Sequence, residues 1–201
     1  YSCRAFRPEP VPEETLQAIL QTAQLTASWC NSQSWKLAIT RGAGTERLRD
    51  ALYTAASTGA QDQADIEFPR EYRGVHKDRR RISGFQLYNA LEIERDDFAG
   101  RATQMLENFR FFGAPHVAIV HSDEALGPYG AVDCGGYVAN FLNAATAHGV
   151  GTIAQAGGQR LEVFDQRAAL PGQLQAFGRG MQLARGPVQQ AHPQVALEPL
   201  Q

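Results

Sequence analysis

The sequence predicts a mixed α and β fold, a mixed sheet with helices on both sides, and three patterns carry that expectation. Leu16, Ile19, Leu20 and Ala23 recur at helical spacing and give one apolar face. Trp35-Lys36-Leu37-Ala38-Ile39-Thr40 alternates as a strand does, and Ala114-Pro115-His116-Val117-Ala118-Ile119-Val120 is a short continuous apolar run suited to a buried strand. The helices and strands do not follow one another as regular βαβ units.

In chain order, Pro8-Glu9-Pro10-Val11-Pro12 reads as extended and then releases the first helix: Pro12 suits a first turn, and Glu13 and Glu14 favour its positive end. Next comes Ala27-Ser28-Trp29-Cys30-Asn31-Ser32-Gln33-Ser34-Trp35, short polar side chains set between an amphipathic helix and an apolar strand. Such a turn can present hydroxyl and amide groups to a flat, polar ligand, or simply cap its neighbours. Arg41-Gly42-Ala43-Gly44 closes the strand, and a second helix is expected over residues 46–56. Residues 57–77 are polar with no sustained period and read as a mobile insertion or cover segment.

Leu87, Tyr88 and Leu91 return to helical spacing, and residues 101–109 read as a further helix with Met105 and Leu106 on its inner side. Pro128 introduces a long helix, about residues 129–148, with Val132, Val138, Leu142 and Ala145 among its buried positions. Gly149 and Gly151 end it, one of them at positive φ. From Gly157 the character changes: the chain becomes rich in Gln, Gly, Pro and Arg, with no strand of sheet length. The division expected is therefore a domain over residues 1–156 and an atypical C-terminal tail over residues 157–201, disordered or out of frame after a slip near Ala156.

A chain of 201 residues with 43% hydrophobic content supports one globular domain. A net charge of −2 offers no electrostatic argument for nucleic acid or an anionic membrane as partner. The run Arg79-Arg80-Arg81 reads as a solvated helix face or an ion-pair site. Cys3, Cys30 and Cys134 suggest neither a disulfide framework nor a metal site, which fits a cytoplasmic setting, and His116, His121 and His148 lack metal-ligand spacing. No run of about 18 apolar residues and no secretory pattern is present. The chain opens at Tyr1 rather than Met, so residues upstream are expected. There is no G-x-S-x-G element, which weighs against a serine hydrolase. Gly149-Val150-Gly151 follows a helix and lacks a third glycine, so a dinucleotide loop is a poorer reading than a helix stop.

The polar turn from Ser28 to Trp35 resembles the S-x-x-N-x-Q-P-W segment of the FMN-dependent nitroreductase family, with Ala27 and Ser34 standing where that family usually has Pro. Four further segments repeat the family's order. Ser2-Cys3-Arg4-Ala5-Phe6 resembles its R-x-S-x-R-x-F opening, and Asn108-Phe109-Arg110-Phe111-Phe112-Gly113-Ala114-Pro115 its N-x-R-F-F-G-A-P segment. Asp133-Cys134-Gly135, leading to Asn140-Phe141-Leu142, looks like its long central helix, and Gly149-Val150-Gly151-Thr152-Ile153-Ala154-Gln155-Ala156 its G-x-G-T-x-x-x-A stretch. The likeness covers about residues 1–156. The arginine run, Leu87-Tyr88 and the segment from Phe111 to His116 look closest to the nitrobenzoate-reductase-like branch.

The resemblance implies an α+β fold of nitroreductase type, a homodimer, and one FMN in each of two sites at the subunit interface. NADH or NADPH would donate hydride, which passes through the flavin to a nitroaromatic or quinone-type acceptor. It implies that Ser2 and Arg4 hold the phosphate and ribityl end and that Arg110 faces the pyrimidine edge of the ring, where a cation favours the reduced, anionic form. Asn108 would be a further partner or a helix cap, and Asp133 an orienting acid or a helix-start acid. Ser28, Asn31 and Gln33 would approach from the other subunit. The main chain of Ile153, Ala154 and Gln155 would run along the ring. No general base is nominated, because transfer to and from a flavin depends on stacking geometry. The family's final strand, basic pair and C-terminal arm are not recognisable after Gly157. That leaves open a flavin-binding protein of this fold without turnover, and, from the glycines before Thr152 alone, a Rossmann-type binder of S-adenosylmethionine or a dinucleotide.

Overall fold

The computed structural model describes residues 2–59 and 66–155, and the tail over residues 157–201 lies outside them. Helix α1 (Glu13–Ala23) starts after Pro12 with two acids in its first turn, and Leu16, Ile19, Leu20 and Ala23 are its buried positions. That is the face its periodicity predicts. The long helix α5 (Gly127–Ala147) packs along α1; Pro128 occupies its first turn, where a missing N–H costs nothing. Between them, Ile19 meets Ala144 and Ala145, flanked by Phe141 and Val150. Gly149, at φ 72°, ends the helix in the left-handed region that a residue without Cβ adopts freely.

Strands β1 (Lys36–Arg41) and β2 (His116–His121) pair antiparallel, Lys36 opposite His121 and Arg41 opposite His116, and form the sheet among the described residues. The sheet joins the helices through a second cluster. There Ala23 of α1, Trp35 at the entry to β1 and Tyr137 of α5 are buried together, with Leu37, Val120 and Phe141 against them. The Tyr137 ring stacks on Trp35 at 5.1 Å and on Phe141 at 6.5 Å. Burial raises the pKa of its hydroxyl from 10.0 to about 12, so it stays neutral at physiological pH. Helix α2 (Ala43–Ser57) buries Thr45, Leu48 and Leu52.

Three side-chain links hold distant segments in register. The Thr45 hydroxyl donates to the Pro115 carbonyl at 3.0 Å, placing α2 beside the start of β2. His116 accepts from the Val11 amide through Nε2 at 3.0 Å, so its proton sits on Nδ1, which donates to the Thr40 carbonyl at 3.1 Å. Arg49 donates to the carbonyls of Arg110 at 3.0 Å and Ala114 at 2.8 Å, and also pairs with Glu46.

Helices α3 (Gly74–Ala90) and α4 (Phe98–Leu106) complete the described elements. The arginine run lies within α3, on an exposed face, with Arg80 over the Tyr72 ring and Arg81 over Phe85. The expected insertion over residues 57–77 is shorter than read, because α3 already begins at Gly74. Two core assignments are corrected: Val132 is 72% exposed and Met105 62%. Periodicity identifies the apolar positions of a helix, but it does not say how wide a stripe the rest of the chain covers.

Candidate functional site

The polar turn is held by a carboxylate from α5. Asp133 is buried, and its Oδ1 accepts from the Trp29 amide at 3.1 Å while Oδ2 accepts from the hydroxyls of Ser32 and Ser34, each at 3.4 Å. Asp133 lies well inside α5, so it is the turn's anchor and not a helix-start acid. The anchor matters because the turn is a conformation L-residues resist: Cys30, Asn31 and Gln33 have φ of 51°, 53° and 47°.

Within the turn the Ser28 hydroxyl accepts from the Gln33 amide at 2.9 Å, and the Gln33 side chain bridges Gln24 and Asn31. Gln24 in turn accepts from the Trp35 indole at 3.1 Å, tying the turn to the core. Asn31 uses its oxygen in this chain of bonds and leaves its amide N–H2 without a partner among the described residues, at an exposed position. Beneath the turn, Cys134 is a half-buried thiol whose pKa is raised chiefly by burial, against a hydrogen bond from Ser122 that lowers it.

A second cluster forms where the N-terminal segment threads between two others. The Cys3 amide donates to the Thr152 carbonyl at 3.1 Å and the Phe6 amide to the Phe112 carbonyl at 3.1 Å. Gly151 permits the approach: a Cβ there would lie 3.0 Å from the Cys3 sulfur. Gln155 donates from Nε2 to the Asn108 side chain at 3.0 Å, which brings the main chain of residues 152–155 beside the turn after α4. That turn, too, is left-handed, with φ of 55°, 52° and 78° at Phe111, Phe112 and Gly113.

The structure thus brings Ser28, Asn31, Gln33 and Asp133 together in one place and Ser2, Arg4, Asn108, Ile153, Ala154 and Gln155 together in another. Among the described residues no hydrogen bond or ion pair joins the two places. Arg110 lies in the turn after α4, between Asn108 and Phe111. Its guanidinium lies 4.2 Å from the centre of the Tyr53 ring and 3.7 Å from Glu107.

Arg4 and Asn108 line a cavity of about 310 Å³ with Tyr88, Arg101, Met105 and Phe112, and no acidic side chain lines it among the described residues. Arg4 has no ion pair among the described residues, and the N–H groups of Ile153, Ala154 and Gln155 bond to no described residue. Unpaired cations and free N–H donors beside aromatic walls make a site for a flat, anionic ligand. Sequence reading missed Tyr88 and Arg101 as parts of this cavity, and Arg49 as the clamp on the turn that shapes it. Their partners are distant in sequence, and no local pattern announces them. Among the described residues no helix is long and apolar enough to cross a membrane.

Comparison with known proteins gives these observations a family. The chain is 39% identical over 156 residues to nitroreductase NfnB of Mycolicibacterium smegmatis, across 76% of this chain and 65% of that protein. It therefore spans somewhat less than two thirds of that relative's length. It is 28% identical over 159 residues to 4-nitrobenzoate reductase of Pseudomonas putida, across 79% of this chain and 70% of that one. The crystal structure of FMN-dependent nitroreductase NfnB from Mycobacterium smegmatis in complex with NADPH superposes with a TM-score of 0.70 at 37% identity, covering 74% of this chain and 67% of that one. The family model matches residues 1–179, so the likeness continues past Ala156, where the recognisable motifs stop. With the turn, the central helix and the threaded N-terminal segment all arranged in one fold, the chain belongs to the nitroreductase family.

Proposed function

We propose that this chain is an FMN-dependent NAD(P)H oxidoreductase acting on nitroaromatic or quinone-type acceptors, as a cytoplasmic homodimer with flavin sites shared between subunits. The observation that carries the proposal is the separation of two half-sites in one chain. One offers an amide and hydroxyls on a strained, anchored turn; the other offers a cation, free main-chain N–H groups and aromatic walls. Two copies related by a two-fold axis would bring the first half of one against the second half of the other.

The residues present fit a flavin mononucleotide. Arg4 supplies a guanidinium with no counter-ion among the described residues, matched to phosphate or to the electron-rich edge of the ring, and Ser2 adds an exposed hydroxyl beside it. The N–H groups of Ile153, Ala154 and Gln155, which bond to no described residue, would line the ring's edge, and the amide of Asn31, without a partner among the described residues, would meet it from the partner. Bound there, FMN supplies two-electron chemistry between a nicotinamide donor and a nitro or quinone group. The chain's own work is to hold the ring, favour negative charge near it through Arg4, and keep water from one face with Phe112 and Tyr88. Asp133 acts through the turn and not on the ligand, since both its oxygens are taken up inside the chain.

A purified sample tests this directly. The expected result is a yellow protein whose flavin absorbance bleaches with NADPH or NADH under anaerobic conditions and returns on adding a nitroaromatic or a quinone. Colour without bleaching would support a flavin-binding protein without turnover, and no flavin uptake would overturn the proposal.

A further inference from the structure

Helix α2 carries Thr45, Arg49 and Tyr53 one turn apart on one face, and all three side chains meet the segment over residues 110–115. The Thr45 hydroxyl reaches the Pro115 carbonyl. Arg49 donates from Nε to the Arg110 carbonyl at 3.0 Å and from Nη2 to the Ala114 carbonyl at 2.8 Å, so one planar guanidinium spans both ends of the turn between them. Its third nitrogen pairs with Glu46 on the same helix, and only 17% of the side chain is exposed. The Tyr53 ring completes the stripe beneath the Arg110 guanidinium. The turn needs such a brace: Phe111 and Phe112, bulky residues in succession, have φ of 55° and 52°, a conformation that persists only where the surroundings over-determine it. Its internal bonds run from the Gly113 amide to the Arg110 carbonyl at 3.2 Å and from the Ala114 amide to the Phe111 carbonyl at 3.0 Å, and the first shares its acceptor with Arg49. The turn reaches the cavity by two routes. Phe112 lines it directly, and the Phe112 carbonyl holds the Phe6 amide, two residues along from Arg4, which lines the same cavity.

We infer that Arg49 is a positioning residue for the cofactor: it fixes both ends of the Phe111–Gly113 turn and, through that turn, Phe112 and the segment bearing Arg4. This rests on the reading of the cavity as a flavin half-site, and it adds a residue that does not line the cavity but on which FMN affinity depends. The role calls for a guanidinium and not for any cation. An ammonium keeps the charge but lacks the rigid fork that fits two carbonyls at once, so lysine restores part of the hold. A small displacement of the turn moves both walls of the site together, which is why a contact outside it weighs on binding inside it.

The test uses the full chain as wild type, Arg49→Met, Arg49→Lys and, as a control for stability alone, Leu48→Ala, which removes a buried apolar side chain from the same helix. FMN is titrated at a temperature where every variant is folded, and amide hydrogen exchange at Gly113 and Ala114 is followed in the flavin-free chains. Expected is an FMN Kd raised about tenfold in R49M, the size of one lost charge-assisted contact, with R49K between it and wild type and L48A within about twofold of wild type despite a lower Tm. Exchange at the two amides should accelerate in R49M, less in R49K, and more in R49M than in L48A. R49M that binds FMN as tightly as wild type overturns the inference, and so does an equal loss in L48A, which would make Arg49 a part of the general framework only. If wild type takes up no flavin, the flavin reading fails and the exchange rates decide the brace by themselves, unchanged rates in both arginine variants overturning it. Should R49M not fold, R49K carries both measurements.

Discussion

Replacing Tyr137 with alanine is expected to cost about 3–5 kcal/mol, the range for deleting a large aromatic from a packed core, and so to remove a large share of the stability of a domain of this size. Tyr137 is 1% exposed, and its ring stacks on both Trp35 and Phe141. With Ala23 it closes the contact among α1, α5 and the entry to β1. Its loss would leave a void bounded by three elements, none of which can move in without unpacking another. The damage should reach the polar turn, because Trp35 is the turn's last residue and its indole holds Gln24, which holds Gln33. Tyr137→Phe keeps the stack and should cost about 1 kcal/mol or less. Equilibrium denaturation of the two variants separates these outcomes, and equal losses would contradict the packing role.

Replacing Asp133 with alanine is expected to cost about 2–3 kcal/mol, because a buried carboxylate bonded to an amide and two hydroxyls is removed together with its charge. Most of that weight falls on the Trp29 amide at 3.1 Å; the hydroxyl contacts at 3.4 Å are longer and weaker. Ligand binding should suffer more than stability alone suggests. Three left-handed residues in the turn each carry roughly 1–3 kcal/mol of backbone strain, and without its anchor the turn is free to relax. Asp133→Asn keeps an oxygen for the Trp29 amide and should retain much of the stability. In the flavin reading, D133A should weaken FMN affinity by about tenfold or more, or 1.4 kcal/mol, with D133N between it and wild type. Thermal melts and FMN titration of the same preparations check both parts.

The sequence made visible those elements whose apolar face is covered by the chain itself. All four apolar positions of α1 are buried, and β1 and β2 lie within one or two residues of the runs that predict them. Helix α3 was read only in its second half, because Val75, Ile82 and Phe85 are 52%, 54% and 41% exposed and leave no inward stripe to recognise. Val132 and Met105 mislead for the same reason. Of the site, Asp133 bonds to the turn that carries Ser28, Asn31 and Gln33, while Arg4 and Asn108 line a cavity elsewhere. The contact of Arg110 with Tyr53 of α2 joins residues far apart in sequence, and no local motif announces it. The links made by Arg49 and His116 likewise depend on contacts over long sequence separations.

The central claim is that each flavin site takes Arg4 from one copy and Asn31 from the other, and mixing two defective variants tests it most directly. Arg4→Ala and Asn31→Ala, each purified alone, should bind little FMN. Unfolded and refolded together, they should regain about a quarter of the wild-type flavin, since half of the dimers are mixed and one of the two sites in each is intact. No recovery in refolded, dimeric mixtures would mean that both residues act within a single chain or not at all, and would contradict the shared site.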